Sequence, residues 1–428
     1  MTSFVPEGIG YNPLPMATLS RTKKIVFSLV LLAFLWLVVE LICLGGLWYL
    51  KRYKNVEYQP TLVEDLSFKH RAVLGIQLDS DVSYVTFDPE LGWSIRPNSH
   101  RPLYTSNSKG LRAAREYDPK PPADKLRIAA FGDSFTHGDG VPMGGTFEEK
   151  LEALDPSLEV MNFGIPASDP GQGLMRYRRE GVQYHPAVVL IDHMSENISR
   201  MVNTFRPFYF AMSGIPFSKP RFAVEGGKLV LIPNPIQSTG GYRELLRDPK
   251  AVFPRLGEHD YFYQRNNRRS RLDFLPSVRF VRVVSDQYFD QPILVHDQYN
   301  KRSEAYQVTF RVLDQFYREA LDHGSLPVIV LFPQRREVRM RNRGEPVTYQ
   351  PLLAELRRRG YRVIDLADGF QKYDPKAELA SNNFIHYPKA GNEIVAKWIR
   401  DVLVEQGLTT PEGVRKALAS TQPPKLDG

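Results

Sequence analysis

Five apolar runs, each of a length typical of a buried β-strand, recur along the chain and are separated by segments with helical periodicity. The runs cover residues 127–131, 159–162, 187–192, 327–332 and 362–366. Strands that alternate with helices form parallel sheets, because each helix carries the chain back across one face of the sheet. A last predicted helix, over residues 390–405, has an apolar stripe suited to packing on such a face. The sequence therefore predicts an α/β domain built on a parallel sheet.

The first run ends abruptly in the polar sequence Gly-Asp-Ser134. Ser134 is thereby predicted at the carboxyl end of a strand, where open α/β sheets form their binding sites. A serine at such a place is also an ordinary turn or helix-capping residue. Two later segments weigh against that ordinary role. The sequence Asn-Phe-Gly164 follows the second run, and Asn-Phe-Ile-His386 precedes the last helix.

These three blocks resemble, in type and order, the SGNH/GDSL hydrolase family. In that family the first block supplies a serine nucleophile, the second a glycine whose backbone N–H lines an oxyanion hole, and the last a histidine base. The resemblance covers about residues 125–405 and implies a flavodoxin-like three-layer fold, with Ser134 as nucleophile, Gly164 as oxyanion donor and His386 as base. Acyl transfer needs these parts, because a serine hydroxyl must lose its proton and the tetrahedral intermediate carries an oxyanion.

The chain departs from the family pattern three residues before the histidine, where the family has an aspartate and this sequence has Asn383. An amide can hold a histidine tautomer by hydrogen bonding, but it offers no negative charge to the imidazolium. We predict that Asn383 takes this position. A Ser-His dyad, or another carboxylate such as Asp365 or Asp368, is the alternative.

The family has one more block, between the glycine block and the histidine block, which supplies an asparagine side chain to the oxyanion hole. This block is also altered in the sequence. Direct counting places Glu196 where the asparagine belongs, whereas a shift of one residue uses Asn197. A carboxylate in the hole would repel the oxyanion. We therefore predict Asn197 as the second oxyanion donor, with Glu196 as the alternative occupant.

Residues 25–50 form an apolar stretch with a single acid, Glu40, and are long enough to cross a hydrocarbon core. We predict a transmembrane helix that contacts the lipid bilayer. A cleaved signal peptide and a buried core helix are the alternatives, but the stretch exceeds a signal-peptide core and no clear cleavage site follows it. Basic residues flank both ends, so the positive-inside rule gives no orientation. A short segment before the helix and a large hydrophilic domain after it favour a domain on the periplasmic or extracellular side.

The predicted organisation has five parts: an N-terminal tail (1–24), the membrane helix (25–50), a stalk and lead-in (51–124), the SGNH-like domain (125–407) and a polar tail (408–428). The domain carries an insertion at about residues 204–300, which a minimal five-stranded sheet does not need. Residues 221–232 of the insertion have the pattern of a β-hairpin around Gly226 and Gly227. An insertion at that edge of the sheet is expected to cover or shape the substrate cleft.

The composition and the absence of certain motifs exclude several kinds of binding site. The single cysteine, Cys43, excludes an intramolecular disulfide and a cysteine-based zinc site. No phosphate-binding glycine loop or metal-binding motif occurs in the sequence, so we expect no cofactor and no metal. The net charge is +8, and clustered arginines of this kind are usually solvated surface. Beside a membrane they would also suit anionic headgroups or an acidic polysaccharide. No nucleic-acid-binding module accompanies them, so we expect no nucleic-acid partner.

The resemblance implies a membrane-anchored serine esterase or O-acyltransferase that acts on an acyl ester, expected to be acetyl, of a cell-envelope or exported carbohydrate. Hydrolysis and transfer share one acyl-serine and differ only in the attacking hydroxyl. One alternative is an SGNH-fold protein with weak or no catalysis that binds glycans or assists envelope assembly. Another is a lipid esterase with the insertion as a hydrophobic lid. The sequence predicts no particular protein partner.

Overall fold

In the computed structural model, the described residues are 20–54, 65–79, 83–210, 212–266, 270–286, 292–381 and 385–424. The chain divides into two compact units. One comprises Met1–Gln59 and Ser270–Ser285, and the other comprises Pro60–Arg269 and Asp286–Gly428. The second unit contains the α/β domain.

The strands within the described ranges are β1 (Val85–Asp88), β2 (Gly92–Ile95), β3 (Leu126–Phe131), β4 (Leu158–Asn162), β5 (Val188–Met194), β6 (Arg221–Glu225), β7 (Lys228–Ile232), β8 (Leu294–Val295), β9 (Gln298–Tyr299), β10 (Leu326–Phe332) and β11 (Val363–Asp365). The helices are α1 (Arg21–Lys54), α2 (Phe68–Asp79), α3 (Ser134–His137), α4 (Phe147–Leu154), α5 (Pro170–Arg176), α6 (Asn197–Arg200), α7 (Thr239–Arg247), α8 (Pro249–Gly257), α9 (Tyr261–Asn266), α10 (Pro276–Val284), α11 (Glu304–Asp322), α12 (Arg335–Asn342), α13 (Gln350–Arg358), α14 (Leu366–Tyr373), α15 (Glu378–Ser381), α16 (Lys389–Glu405) and α17 (Pro411–Ser420).

Five strands form a parallel sheet in the order β11-β10-β5-β3-β4. In chain order this is the 2-1-3-4-5 arrangement of flavodoxin-like folds. Every residue of β3, β5 and β10 is buried, which explains why these strands are continuous apolar runs rather than alternating ones. The predicted fold class, the five strands and the last helix are confirmed.

Helices cover both faces of the sheet. Ala129 and Phe131 of β3 belong to a core cluster that includes Phe316 of α11 and residues of α5 and α13. The alternate residues Ile128 and Ala130 belong to a second cluster with residues of α4, α14 and α16. Successive side chains of a strand point to opposite faces, so these two clusters are the two outer interfaces of a three-layer domain.

The insertion lies between β5 and α11. Strands β6 and β7 pair as the predicted antiparallel hairpin, and the φ angles of 55° at Gly226 and 77° at Gly227 suit glycine at its turn. The lead-in shares a third core cluster with the insertion, and this cluster contains Trp93 together with Phe217 and Tyr242. The part of the lead-in around Trp93 is therefore packed into the folded domain.

Helix α1 is the one helix among the described residues that is long and apolar enough to cross a membrane. Its length and composition fit both a membrane span and a signal sequence. Near the other end of the chain, α17 lies in the segment predicted as a polar tail, and its Val414 is buried in the second core cluster.

Candidate active site

Ser134 begins α3, a single helical turn directly after β3 and the dipeptide Gly132-Asp133. The Asp133 carboxylate caps this turn by accepting the Phe135 N–H at 2.8 Å. A Cβ added at Gly132 would lie 2.1 Å from Thr136 Oγ1, so only glycine fits between the strand and the turn. The sequence thus sets Ser134 at the carboxyl edge of the central strand, where it is 6 % exposed.

His386 reaches the same place from the opposite end of the chain, just before α16. Its Nε2 lies 2.9 Å from Ser134 Oγ, which is hydrogen-bond distance. The Phe135 ring packs edge-on against the imidazole and against the ring of Tyr387. These contacts hold the histidine within reach of the serine proton, as a general base requires.

The other ring nitrogen, His386 Nδ1, has no hydrogen-bond partner among the residues that the structure describes. Asp365 is engaged elsewhere, because its carboxylate accepts from the Tyr349 hydroxyl at 2.7 Å and pairs with Arg341. Asp368 also pairs with Arg341, at 3.2 Å. The two substitute acids are therefore not brought to the histidine. Asn383 lies outside the described residues.

Gly164 lies against the nucleophile turn. A Cβ there would come within 2.2 Å of the His137 backbone nitrogen, so this close approach requires glycine. Its own N–H, however, donates to the Asn162 side-chain oxygen at 2.9 Å, while the Asn162 amide nitrogen donates to the Thr136 carbonyl at 2.8 Å. Gly164 is brought to the site, but its N–H is already used to fix the loop after β4.

Ala167 is the residue in this loop that sequence reasoning missed. It has a φ of 64°, a left-handed conformation that is unusual for a residue with a side chain. Its neighbours tie the loop to β3: the Ile165 N–H and the Ser168 hydroxyl both donate to the Gly132 carbonyl, at 3.0 Å. Across the described ranges, the Ala167 N–H has no hydrogen-bond partner. Nothing in the local sequence signals this conformation, because the loop closes through contacts with another strand.

Asn197 begins α6, at the carboxyl end of β5. The residue is fully buried, and neither its amide nitrogen nor its amide oxygen has a hydrogen-bond partner within the described part of the chain. A buried amide left unpaired costs about 1–3 kcal/mol, so such a group usually marks a place where another molecule supplies the partner. Among the described residues, the N–H groups of Ser134 and Ala167 and the Asn197 amide are three donors without a partner, and they follow three neighbouring strands.

Glu196, the alternative occupant of the oxyanion hole, is held by an ion network. Its carboxylate accepts from Arg200 at 2.8 Å and from the Tyr209 hydroxyl at 2.8 Å, and Arg206 lies 3.6 Å away. Burial alone would raise the pKa of Glu196, but the charges of Arg200 and Arg206 outweigh it and lower that pKa to about 2. The carboxylate is thus ionised and fully engaged with cations.

Arg200 joins this network to the nucleophile turn. Its guanidinium donates to Asp133 at 2.9 Å and to the Ser168 carbonyl at 2.8 Å as well as to Glu196. Burial raises the pKa of Asp133, and the adjacent Arg200 opposes that rise. One buried arginine therefore links the nucleophile turn, the loop after β4 and the turn after β5. The sequence did not indicate this role, since Arg200 belongs to no recognised motif.

His137, three residues after the serine, has its own partners. Its Nδ1 lies 2.5 Å from Asp139 and its Nε2 lies 2.9 Å from the Tyr84 hydroxyl in the lead-in. Burial lowers the pKa of this histidine. His137 therefore fastens the lead-in to the nucleophile turn, and both of its nitrogens are occupied away from Ser134.

No family model matches the sequence, and no curated protein matches it. Several solved structures are similar to this chain. A lipolytic protein of the G-D-S-L family from Desulfitobacterium hafniense is 13 % identical, with a TM-score of 0.32, over 65 % of this chain and 100 % of that one. A lipase/acylhydrolase from Enterococcus faecalis is 14 % identical, with a TM-score of 0.30, over 70 % and 99 % of the two chains. A GDSL-like lipase from Bacteroides thetaiotaomicron is 11 % identical, with a TM-score of 0.31, over 67 % and 91 %. At these identities, the chemistry of this chain has to be read from the geometry of its own site.

Proposed function

We propose that this protein is a membrane-anchored serine esterase or O-acyltransferase that acts on an acyl ester of a cell-envelope or exported carbohydrate through an acyl-serine intermediate. The observation that carries the proposal is the 2.9 Å approach of His386 Nε2 to Ser134 Oγ. These residues are 252 positions apart in sequence and are joined by the fold alone. A serine and a histidine in this geometry form an activated nucleophile.

In the proposed reaction, His386 takes the Ser134 proton as Oγ attacks the ester carbonyl. The resulting oxyanion accepts hydrogen bonds from the unpaired donors of Ser134, Ala167 and Asn197. His386 then gives the proton to the leaving alcohol, which leaves Ser134 acylated. In the second half, His386 takes a proton from water or a sugar hydroxyl as it attacks the acyl carbonyl, and returns that proton to Ser134 Oγ as the bond between the acyl group and the serine breaks. A preorganised donor of this kind contributes about 10²–10³-fold to the rate of acyl transfer.

An acyl group is supported by the recess beside the histidine. It has a volume of about 20 Å³ and is lined by apolar side chains that include Phe135, Val338 and Tyr387. An apolar lining suits the hydrocarbon part of an acyl group. The acetyl and carbohydrate parts of the proposal come from the family resemblance.

The test is the release of p-nitrophenol and acetate from short acyl esters by the full chain in detergent. Ser134→Ala removes the nucleophile and is expected to abolish turnover. His386→Ala removes the base and is expected to lower kcat by about 10²–10⁴-fold. Matched controls are Ser420→Ala and His259→Ala, because both residues are exposed and lie outside the site. Mass spectrometry of added oligosaccharides separates transfer from hydrolysis.

If folded wild-type protein released no product with any acyl ester or sugar acceptor, the proposal would be overturned. Turnover that persisted in Ser134→Ala would also exclude the acyl-serine.

A second candidate, an SGNH-fold protein with weak catalysis that binds glycans or assists envelope assembly, is favoured by one observation. No carboxylate among the described residues lies within hydrogen-bond distance of His386 Nδ1. A histidine without such a partner stabilises its cation poorly. Oligosaccharide binding that survives in Ser134→Ala, with no turnover in the wild type, would support this candidate over the enzyme.

A further inference from the structure

We propose that the segment Ser270–Ser285 of the insertion is a second membrane-contacting element. It docks on the membrane anchor α1 and inserts its apolar residues into the bilayer leaflet that surrounds the C-terminal half of α1. The inference goes beyond the esterase proposal, and it depends only on the part of that proposal in which α1 spans the membrane. It concerns a single compact unit, because this segment and α1 belong together.

The first observation is the pattern of burial along α1. Its first seventeen residues, 21–37, are exposed all round, as in a helix surrounded by lipid. From Val38 onward one face is covered, and Glu40 is only 7 % exposed. A Cβ added at Gly46 would lie 2.6 Å from the Phe280 ring of α10, so α10 covers this face at close range. Ile42 and Trp48 on the other face remain exposed.

The second observation is the pairing of Glu40, the single acid in the apolar stretch. Its carboxylate accepts the Ser277 hydroxyl at 2.6 Å and the Ser277 backbone N–H at 2.9 Å. Helix α10 begins at Pro276, so the N–H of Ser277 belongs to its unsatisfied first turn. The contact therefore satisfies a carboxylate and a helix terminus at once. Such pairing is what a polar group inside a bilayer requires.

The position of Glu40 along α1 sets the depth of Ser277 in the bilayer. Residues 25–50 make about 39 Å of helix, and Glu40 lies only about 4 Å from the midpoint of that length. If α1 spans a bilayer, whose hydrocarbon core is about 30 Å thick, Ser277 lies within the hydrocarbon region. Helix α10 is too short to span the bilayer itself. Ser277 contacts Glu40 and Phe280 lies against Gly46, so α10 lies along the C-terminal half of α1.

The third observation is the outward face of the segment. Leu272, Phe274 and Val281 are 54 %, 71 % and 64 % exposed, which is costly in water and favourable in lipid. Within the segment, Arg282 pairs with Asp273 at 2.9 Å, so these two charges neutralise each other. A segment with apolar residues outward and an internal ion pair fits contact with lipid.

The experiment uses site-directed spin labels on the full chain in phosphatidylcholine–phosphatidylglycerol vesicles. Cys43→Ala removes the single native cysteine, and one cysteine is then placed at Phe274 or Val281. Ile42→Cys on the exposed face of α1 is the lipid control, and Val404→Cys, 49 % exposed on α16, is the water control. Collisions with oxygen, which concentrates in lipid, are compared with collisions with a water-soluble nickel chelate.

We expect the oxygen-to-nickel ratio at Phe274 and Val281 to match that at Ile42 and to exceed that at Val404 several-fold. A ratio like that at Val404 would overturn the inference while the anchor stands. Low collision rates with both reagents would also overturn it, since they would show that protein covers the segment. A water-like ratio at Ile42 would refute the anchor itself. None of these three results would affect the esterase assay.

Docking through Glu40 has its own readout. Glu40→Ala removes the acceptor of both Ser277 hydrogen bonds and is expected to increase the mobility of a label at Val281, whereas Ser285→Ala at the other end of α10 is not. Equal mobility in the two variants would contradict docking at Glu40.

Discussion

Replacing Glu196 by glutamine removes the negative charge that neutralises two arginines beside the nucleophile. In the wild type, this carboxylate is within 2.8 Å of Arg200 and 3.6 Å of Arg206, and it also accepts the Tyr209 hydroxyl. Glutamine has nearly the same shape and can still accept one hydrogen bond, so the change isolates the charge. Of the two carboxylates that contact Arg200, Asp133 would then be the one that still pairs with it. We expect Glu196→Gln to destabilise the α/β domain.

The size of the effect follows from the pKa of Glu196, which falls from 4.5 to about 2 on folding. At about 1.4 kcal/mol for each pH unit, the ionised carboxylate contributes about 3 kcal/mol to the free energy of unfolding. The folded pKa is the lower one, so this contribution is present above pH 4.5 and is lost as the pH falls from 4.5 toward 2. Uncompensated buried charges typically cost about 3–5 kcal/mol, which agrees with this value.

Urea unfolding followed by tryptophan fluorescence, at pH 7 and at pH 3, measures the effect in the full chain in detergent. Glu196→Gln is expected to lower the free energy of unfolding by about 3 kcal/mol at pH 7 and by a little less than half of that at pH 3. Glu258→Gln, at a carboxylate that is 70 % exposed, is the matched control and should leave both values unchanged. Equal stability of Glu196→Gln and the wild type at pH 7 would refute the reasoning, as would an equal loss at both pH values.

Three further changes test the site itself. Asn197→Ala removes a buried amide that has no partner among the described residues, and it is expected to lower kcat by about 10²–10³-fold with little change in KM, measured by steady-state ester hydrolysis. A loss confined to KM would exclude Asn197 from the oxyanion hole. Asn383→Asp adds a carboxylate where the family has one and is expected to raise kcat by about tenfold or more, whereas unchanged kcat would show that another group orients His386. Gly132→Ala forces a Cβ to within 2.1 Å of Thr136 Oγ1 and is expected to lower the free energy of unfolding by about 1–3 kcal/mol, measured by urea unfolding. A variant as stable as the wild type would mean that the turn can shift.

The fold was largely predictable because its signals are local. A strand buried on both faces, such as β3, is a continuous apolar run. The start of α4 is indicated by a capping box, in which Thr146 caps the helix and exchanges hydrogen bonds with Glu149. The hairpin around Gly226 and Gly227 follows from the turn residues. Each of these patterns depends on residues only a few positions apart.

The site was predictable only where a sequence block marks it. Ser134 and His386 stand in such blocks, and the structure places them 2.9 Å apart. Whether a backbone N–H is free cannot be read from a block, because it depends on how a loop closes. Thus the Gly164 N–H is used by Asn162, whereas the Ala167 N–H, in a left-handed loop held by β3, has no partner within the described ranges.

The ion network also bears on what the insertion does. Glu196 and Arg200 follow β5, whereas Arg206 and Tyr209 belong to the first residues of the insertion. The negative charges beside the nucleophile include those of Asp133 and Glu196, and the insertion supplies one of the two arginines that balance them. Removing residues 204–300 would therefore leave Glu196 with Arg200 as its cation and without its tyrosine donor. The insertion is an electrostatic part of the site, so a shortened chain without it tests a different active site and not an uncovered version of this one.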